Sequence, residues 1–199
     1  MTRPSFSGRT VRRVTEDVVN ARIAEWRARG NHVAIGNLGE QVALSVLVQL
    51  EYEVLATQDD LKGGVAKIVD RSTRMNPEDF ICITPDGRLV TVNCKAAVSE
   101  RSAGIASGGN LKPARLSRGQ DQAPYYSERA GLISPLDGAM TDAQVMKVDL
   151  VHKCAQLFDL GEDGTQKPAS AVIPVAGEIA AICARYPDGM IPAPLGPNR

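Results

Sequence analysis

The chain has 199 residues and a mass of 21.2 kDa, enough for one domain with a helical appendage. Its 23 basic and 23 acidic residues cancel, which excludes a histone-like binder acting through bulk charge, and aromatic residues at 4% exclude wholesale base stacking. No apolar run has membrane-spanning length, the N-terminus is arginine-rich rather than signal-like, and four cysteines without zinc-finger or CxxC spacing point to a reduced, cytoplasmic compartment.

Residues 1–14 read as a loose basic arm carrying Arg3, Arg9, Arg12 and Arg13. Thr15 is a candidate N-cap for a helix through Arg29, with Val19, Ile23 and Trp26 on one stripe and Gly30-Asn31 as its end. Trp26 and this helix are also a candidate homodimer contact. A second helix is predicted over Val33–Leu50, with Val42, Val46, Leu47 and Leu50 at helical spacing. Glu40 precedes Ala43, Leu44 and Leu47 by three, four and seven residues, so it shares their apolar face. An acid there is costly unless a cation or solvent meets it.

Tyr52–Thr57 reads as a strand, and 58–78 as polar and irregular, broken at Gly63-Gly64, with a short strand at 66–69. Phe80–Thr84 and Leu89–Lys95 form a hairpin around Pro85-Asp86-Gly87. Residues 99–112 are Ser-, Gly- and Ala-rich and read as a flexible loop, followed by a partly helical stretch over Leu116–Arg129. Thr141 and Gln144 make a capping-box signature, predicting a helix over Asp142–Leu160 with Met146, Leu150, Cys154 and Leu157 as its stripe. Ala171–Val175 reads as a last strand and Glu178–Ala184 as a short helix. The expected division is an arm and helix over 1–30, an α/β domain over 31–186 and a loose Pro-rich tail over 187–199. His152 and Cys154 are too isolated to suggest a metal site.

The hairpin is where chemistry concentrates. Side chains alternate faces along a strand, so Asp79, Ile81 and Ile83 share one face, and Leu89, Thr91, Asn93 and Lys95 share one face of the next arm. With the turn at Asp86-Gly87, Asp79 lies across from Asn93–Lys95. A carboxylate, an amide oxygen and an ammonium converging there suit Mg²⁺ or Mn²⁺, which takes oxygen ligands, beside a cation that orients water or steadies a phosphate. Glu40 can add a further ligand from the preceding helix.

This order resembles the PD-(D/E)xK nuclease superfamily. The stretch from Gly36-Asn37-Leu38-Gly39-Glu40 to Asn93-Cys94-Lys95 carries the likeness. The resemblance implies an α/β fold with a restriction-endonuclease-like αβββαβ core. That core is a central mixed sheet flanked by helices, here with an N-terminal helix and C-terminal helical additions. It assigns the metal to Asp79, Asn93 and Glu40, and the catalytic lysine to Lys95. Asn93 departs from the family, which has Glu or Asp there, and so removes one negative charge. Glu78 and Asp70 are spare carboxylates. The basic segment after the hairpin offers Lys112, Arg115, Arg118 and Gln120 to a phosphate backbone, and Gln156 is a more distant candidate.

Two further readings stay open beside a metal-dependent endonuclease acting on DNA ahead of RNA. One is a weakened nuclease-fold module that binds nucleic acid, or a protein partner, without cutting; Asn93 favours it. The other is a protein-interaction domain unrelated to nucleic acid. A toxin role would bring a cognate immunity protein as partner.

Overall fold

A computed structural model describes residues 15–58, 79–116, 142–161 and 163–195. Apolar residues at intervals of three and four make the N-terminal segment helical. Helix α1 (Glu16–Ala28) places Glu16 and Asp17 in its first turn and Arg27 in its last, the charge order that the helix dipole favours. Gly30, at φ +68°, reverses the chain, and the Asn31 side chain caps α2 (His32–Gln49) by accepting the Ala34 N–H at 3.1 Å. Thr15 stands at the N-cap of α1 without a capping bond from its side chain.

The strands are β1 (Glu53–Thr57), β2 (Phe80–Ile83), β3 (Leu89–Ala97), β4 (Asp142–Asp149), β5 (Cys154–Leu160), β6 (Gln166–Pro168) and β7 (Ile173–Pro174), followed by α3 (Ala176–Arg185). They form one sheet in the order β1-β2-β3-β4-β5-β6, with β7 also paired to β5. Only β3 and β4 pair in parallel, so the described sheet is mixed, and the class is α/β.

The helix expected over Asp142–Leu160 is instead the antiparallel pair β4 and β5. The Met146, Leu150, Cys154 and Leu157 spacing fits a helix, but the same segment also alternates. Met146, Val148 and Leu150 face one side, and Val145, Lys147 and Asp149 face the other. Lys153, at φ +54°, closes the turn between the strands. Strand β6 was not expected, and the strand over Ala171–Val175 shrinks to β7. The segments 66–69 and most of 116–129 lie outside the described residues.

The three described helices all pack on one face of the sheet rather than on both. Val19, Ile23 and Trp26 of α1, Leu38, Val42 and Leu47 of α2, and Ile179 and Cys183 of α3 meet Phe80, Cys82, Val90, Val92, Met146, Val148 and Leu157. The N-terminal helix therefore belongs to the main core. Trp26 is 3% exposed and lies against Gly189, so it does not present itself to a second copy. The described part of the Pro-rich tail also packs. Ile191 is buried, Asn37 Nδ2 donates to the Ile191 carbonyl at 2.6 Å, and Gln41 Nε2 donates to the Pro192 carbonyl at 3.1 Å.

The opposite face is covered by residues 99–116. Leu111 packs on Cys154 and Phe158, and Ala114 on Ala143, Val145 and Leu160. Among the described residues no helix is long and apolar enough to cross a membrane.

Candidate functional site

Strands β2 and β3 pair with Phe80 opposite Val92 and Ile83 opposite Leu89. Continuing that register by one residue sets Asp79 opposite Asn93. The turn that fixes it is built by Thr84, whose backbone N–H donates to the Arg88 carbonyl at 2.9 Å, with Gly87 at φ +85°. Asp79 Oδ2 accepts the Cys94 backbone N–H at 2.6 Å, and Gln58 Nε2 approaches Asp79 Oδ1 at 3.5 Å. The Gln58 backbone N–H donates to the Asp79 carbonyl at 2.8 Å. Asp79 is thus held between the end of β1 and the middle of β3, at 9% exposure, with Asn93 at 4%.

Glu40 arrives from the helix side. Its neighbour Gly39 sits directly on β3, where a methyl group on Gly39 would stand 2.9 Å from Ala96 Cβ and 3.6 Å from Cys94 Sγ. That contact fixes the height of Glu40, which is half-buried, over the centre of β3. The Cys94 thiol registers the surrounding charges. Burial pushes its pKa well above the ordinary value; Asp79 and Glu40 push it further, and Lys95 opposes them. The three charged residues singled out in the sequence therefore all act on one residue of β3. Lys95 is half-buried on the same strand face as Asn93.

The structure brings Asp79 and Asn93 together, whereas Glu40 stands on the helix face of β3 beside Cys94 and Ala96, and Asn93 and Lys95 face the loop side. Among the described residues no three His, Cys, Asp or Glu side chains are grouped to hold a metal ion. The oxygen donors Asp79 and Asn93 suit Mg²⁺ or Mn²⁺ in kind, with one negative charge fewer than a pair of carboxylates would supply.

Lys112 and Arg115 are exposed on the covering loop, whereas Arg118, Gln120, Glu78 and Asp70 lie outside the described residues. Gln156 does not face a site. It is fully buried on β5, where Oε1 accepts the Leu111 N–H at 2.7 Å and Nε2 donates to Asn110 Oδ1 at 2.7 Å and to the Ser170 carbonyl at 2.8 Å. It is one of four side chains that pin the loop. Lys147 Nζ donates to the Lys112 carbonyl, Gln166 brackets Ala114 through both its N–H and its carbonyl, and Asp149 Oδ2 accepts the Gly104 N–H at 2.7 Å. The Ser/Gly/Ala-rich segment is therefore fastened to the sheet rather than a free linker.

Lys147 and Asp149 were not foreseen. Lys147 pairs in register with Lys95 on the neighbouring strand and is 1% exposed. Burial lowers its pKa, Asp149 opposes that, and Lys112 adds to it. For Asp149, burial acts to raise the pKa, but hydrogen bonds from Gly104, His152 and Val151 outweigh it and hold the carboxyl below its usual range. The alternation of β4 was the available signal, since a strand puts Lys147 and Asp149 on the face that already carries Asn93 and Lys95.

Comparison with known proteins adds no relative: no family model, no curated protein and no solved structure matches the chain.

Proposed function

We propose that the chain is a metal-dependent phosphodiesterase of the PD-(D/E)xK kind, an endonuclease acting on DNA ahead of RNA. The observation that carries this reading is the placement of Asp79 opposite Asn93, with Lys95 two residues further along the same face and Glu40 over the same strand. The αβββαβ core is part of the proposal. Its first helix and three strands correspond to α2, β1, β2 and β3. Its closing strand corresponds to β4, whose parallel pairing with β3 needs a crossover, where that core has a helix.

In this reading Asp79 and Asn93 would hold Mg²⁺ or Mn²⁺, which when bound supplies Lewis acidity and a more acidic water, while Glu40 adds its charge from the helix face of the same strand. Asp79 is braced for that task by the Cys94 N–H, which fixes one carboxylate oxygen. Lys95 orients the attacking water and balances negative charge on the phosphate. Lys112 and Arg115 steady the substrate backbone.

One specific feature favours a second reading, a nucleic-acid-binding module that does not cut. An amide at Asn93 is a neutral, weaker ligand than the carboxylate expected there. Incubating the purified chain with DNA and with RNA in Mg²⁺ or Mn²⁺, beside Asp79→Ala and Lys95→Ala, separates the two. Metal-dependent cutting abolished by both substitutions supports the enzyme. Salt-sensitive binding without cutting supports the module. Neither binding nor cutting overturns both.

A further inference from the structure

A second polar construction stands at the end of β4. Asp149 is fully buried, and its carboxylate is held by four contacts. Oδ1 accepts the Val151 and His152 N–H groups, each at 3.0 Å; Oδ2 accepts the Gly104 N–H at 2.7 Å and meets His152 Nδ1 at 3.1 Å. A carboxylate saturated by donors in this way stays ionised and can only accept. His152 Nδ1 therefore carries a hydrogen, and the remaining ring nitrogen, Nε2, is the basic one. The imidazole is 42% exposed, so the ring is fixed at its inner edge and open to solvent.

Across from it stands Lys112. A methyl group on Gly104 would lie 3.4 Å from Lys112 Nζ and 3.9 Å from His152 Cε1, so both side chains flank the same bare stretch of backbone. Gly104 has φ +106°, a conformation that other residues rarely adopt, which keeps that stretch free of a side chain. Lys112 is itself anchored, because its carbonyl accepts from Lys147 and its N–H donates to the Gly104 carbonyl at 3.0 Å. Of the other charged groups near this turn, Lys147 lies buried on the same face with its ammonium on the Lys112 carbonyl, whereas Lys153, Glu16 and Arg27 line the helix side of the sheet.

We propose that Lys112 and the Asp149–His152 pair, set about Gly104, form an oxyanion site that takes a phosphate group and protonates His152 at Nε2 as it does so. A protonated imidazole and an ammonium supply two charge-assisted donors, and the buried Asp149 stabilises the imidazolium. The phosphate can belong to a nucleic-acid backbone or to a small phosphate compound. The site lies along the same sheet face as Lys95 and shares Lys112 with the proposed substrate path, but it uses none of Asp79, Asn93, Glu40 and Lys95, so it does not require hydrolysis at Asp79.

The test is NMR of the full chain at constant pH, following the His152 ring nitrogens and the Gly104 amide while inorganic phosphate is added in one series and a short oligonucleotide in another. Saturable movement of Nε2 toward the protonated position, with a coupled Gly104 shift, is expected in at least one series. Response to the oligonucleotide alone assigns the site to a polynucleotide backbone; response to phosphate alone assigns it to a small ligand. Lys112→Gln, read at both probes, and His152→Gln, read at the Gly104 amide, are exposed positions and should each weaken the response at least about tenfold, the loss of one charge-assisted hydrogen bond. No shift at Gly104 or His152 in either series, or full retention in both variants, overturns the proposal.

Discussion

Gly39 of α2 rests on Ala96 of β3 so closely that a methyl group on Gly39 would come within 2.9 Å of the Ala96 methyl. Three residues earlier on the same helix, a methyl group on Gly36 would meet nothing within 4 Å beyond its own stretch of helix. The two glycines therefore make opposite predictions. Gly39→Val should destabilise the fold by about 1–3 kcal/mol through overpacking. Gly36→Ala should be neutral or stabilising by up to about 1 kcal/mol, through helix propensity. Urea midpoints of both variants check this, and equal losses would mean that the helix–strand contact is not the cause.

Asn93 sets the charge of the candidate metal site. Asn93→Asp keeps the shape and restores one negative charge, so Mg²⁺ or Mn²⁺ should bind about tenfold more tightly or better, read by calorimetry. An unchanged titration would remove Asn93 from the ligand set.

Asp149 predicts a pH dependence. Its native pKa is held below the usual value, so its stabilisation is fully present above the unfolded carboxyl value of about 3.9 and is lost as pH falls through the native value. Asp149→Asn should cost about 1.5–3 kcal/mol at neutral pH, and the gap to the parent chain should shrink on acidification. A gap independent of pH would show that the ionised carboxylate is not what closes the turn.

Lys147 gives a slope of the same sign, in a higher pH window and from a different cause. Burial lowers its native pKa, so the unfolded chain holds that proton more tightly, and its contribution to stability rises with pH between the native value and about 10.4. Lys147→Met should abolish this slope and speed proteolysis within residues 104–114, because the Lys112 carbonyl loses its donor. Unchanged cleavage would mean that Gln156 and Gln166 hold the loop without it.

The thiols supply a probe of the whole core. Burial pushes Cys82 up to about 12 and also raises Cys154 and Cys183; burial with the Asp79 and Glu40 charges raises Cys94. All four should react slowly with a disulfide reagent at pH 8 and quickly in urea. A rapidly labelled thiol in the native chain would locate an opening of the sheet.

The parts that followed from sequence are those whose signals are local. Pro85-Asp86-Gly87 between two β-branched runs specifies the β2–β3 hairpin, and the apolar spacing of Val42, Val46 and Leu47 specifies α2. The error over Asp142–Leu160 came from a spacing that satisfies two periods at once, broken by a turn at Lys153 that holds neither glycine nor proline. The covering loop was misread because composition describes its own residues and not its partners. Gln156, Asp149 and Lys147 reach it from strands some 35 to 46 residues away in sequence. Within the candidate site, Asp79, Asn93 and Lys95 were legible from alternation across a hairpin, whereas the Asp149–His152 pair depends on a strand that the capping-box signature concealed.

The clamp of Asn37 and Gln41 on the Ile191 and Pro192 carbonyls spans 154 and 151 residues, with Glu40 between the two clamped positions. Residues 191 and 192 therefore act as a long-range tether on the one helical turn that presents Glu40, a second restraint beside the seat that Gly39 makes on β3.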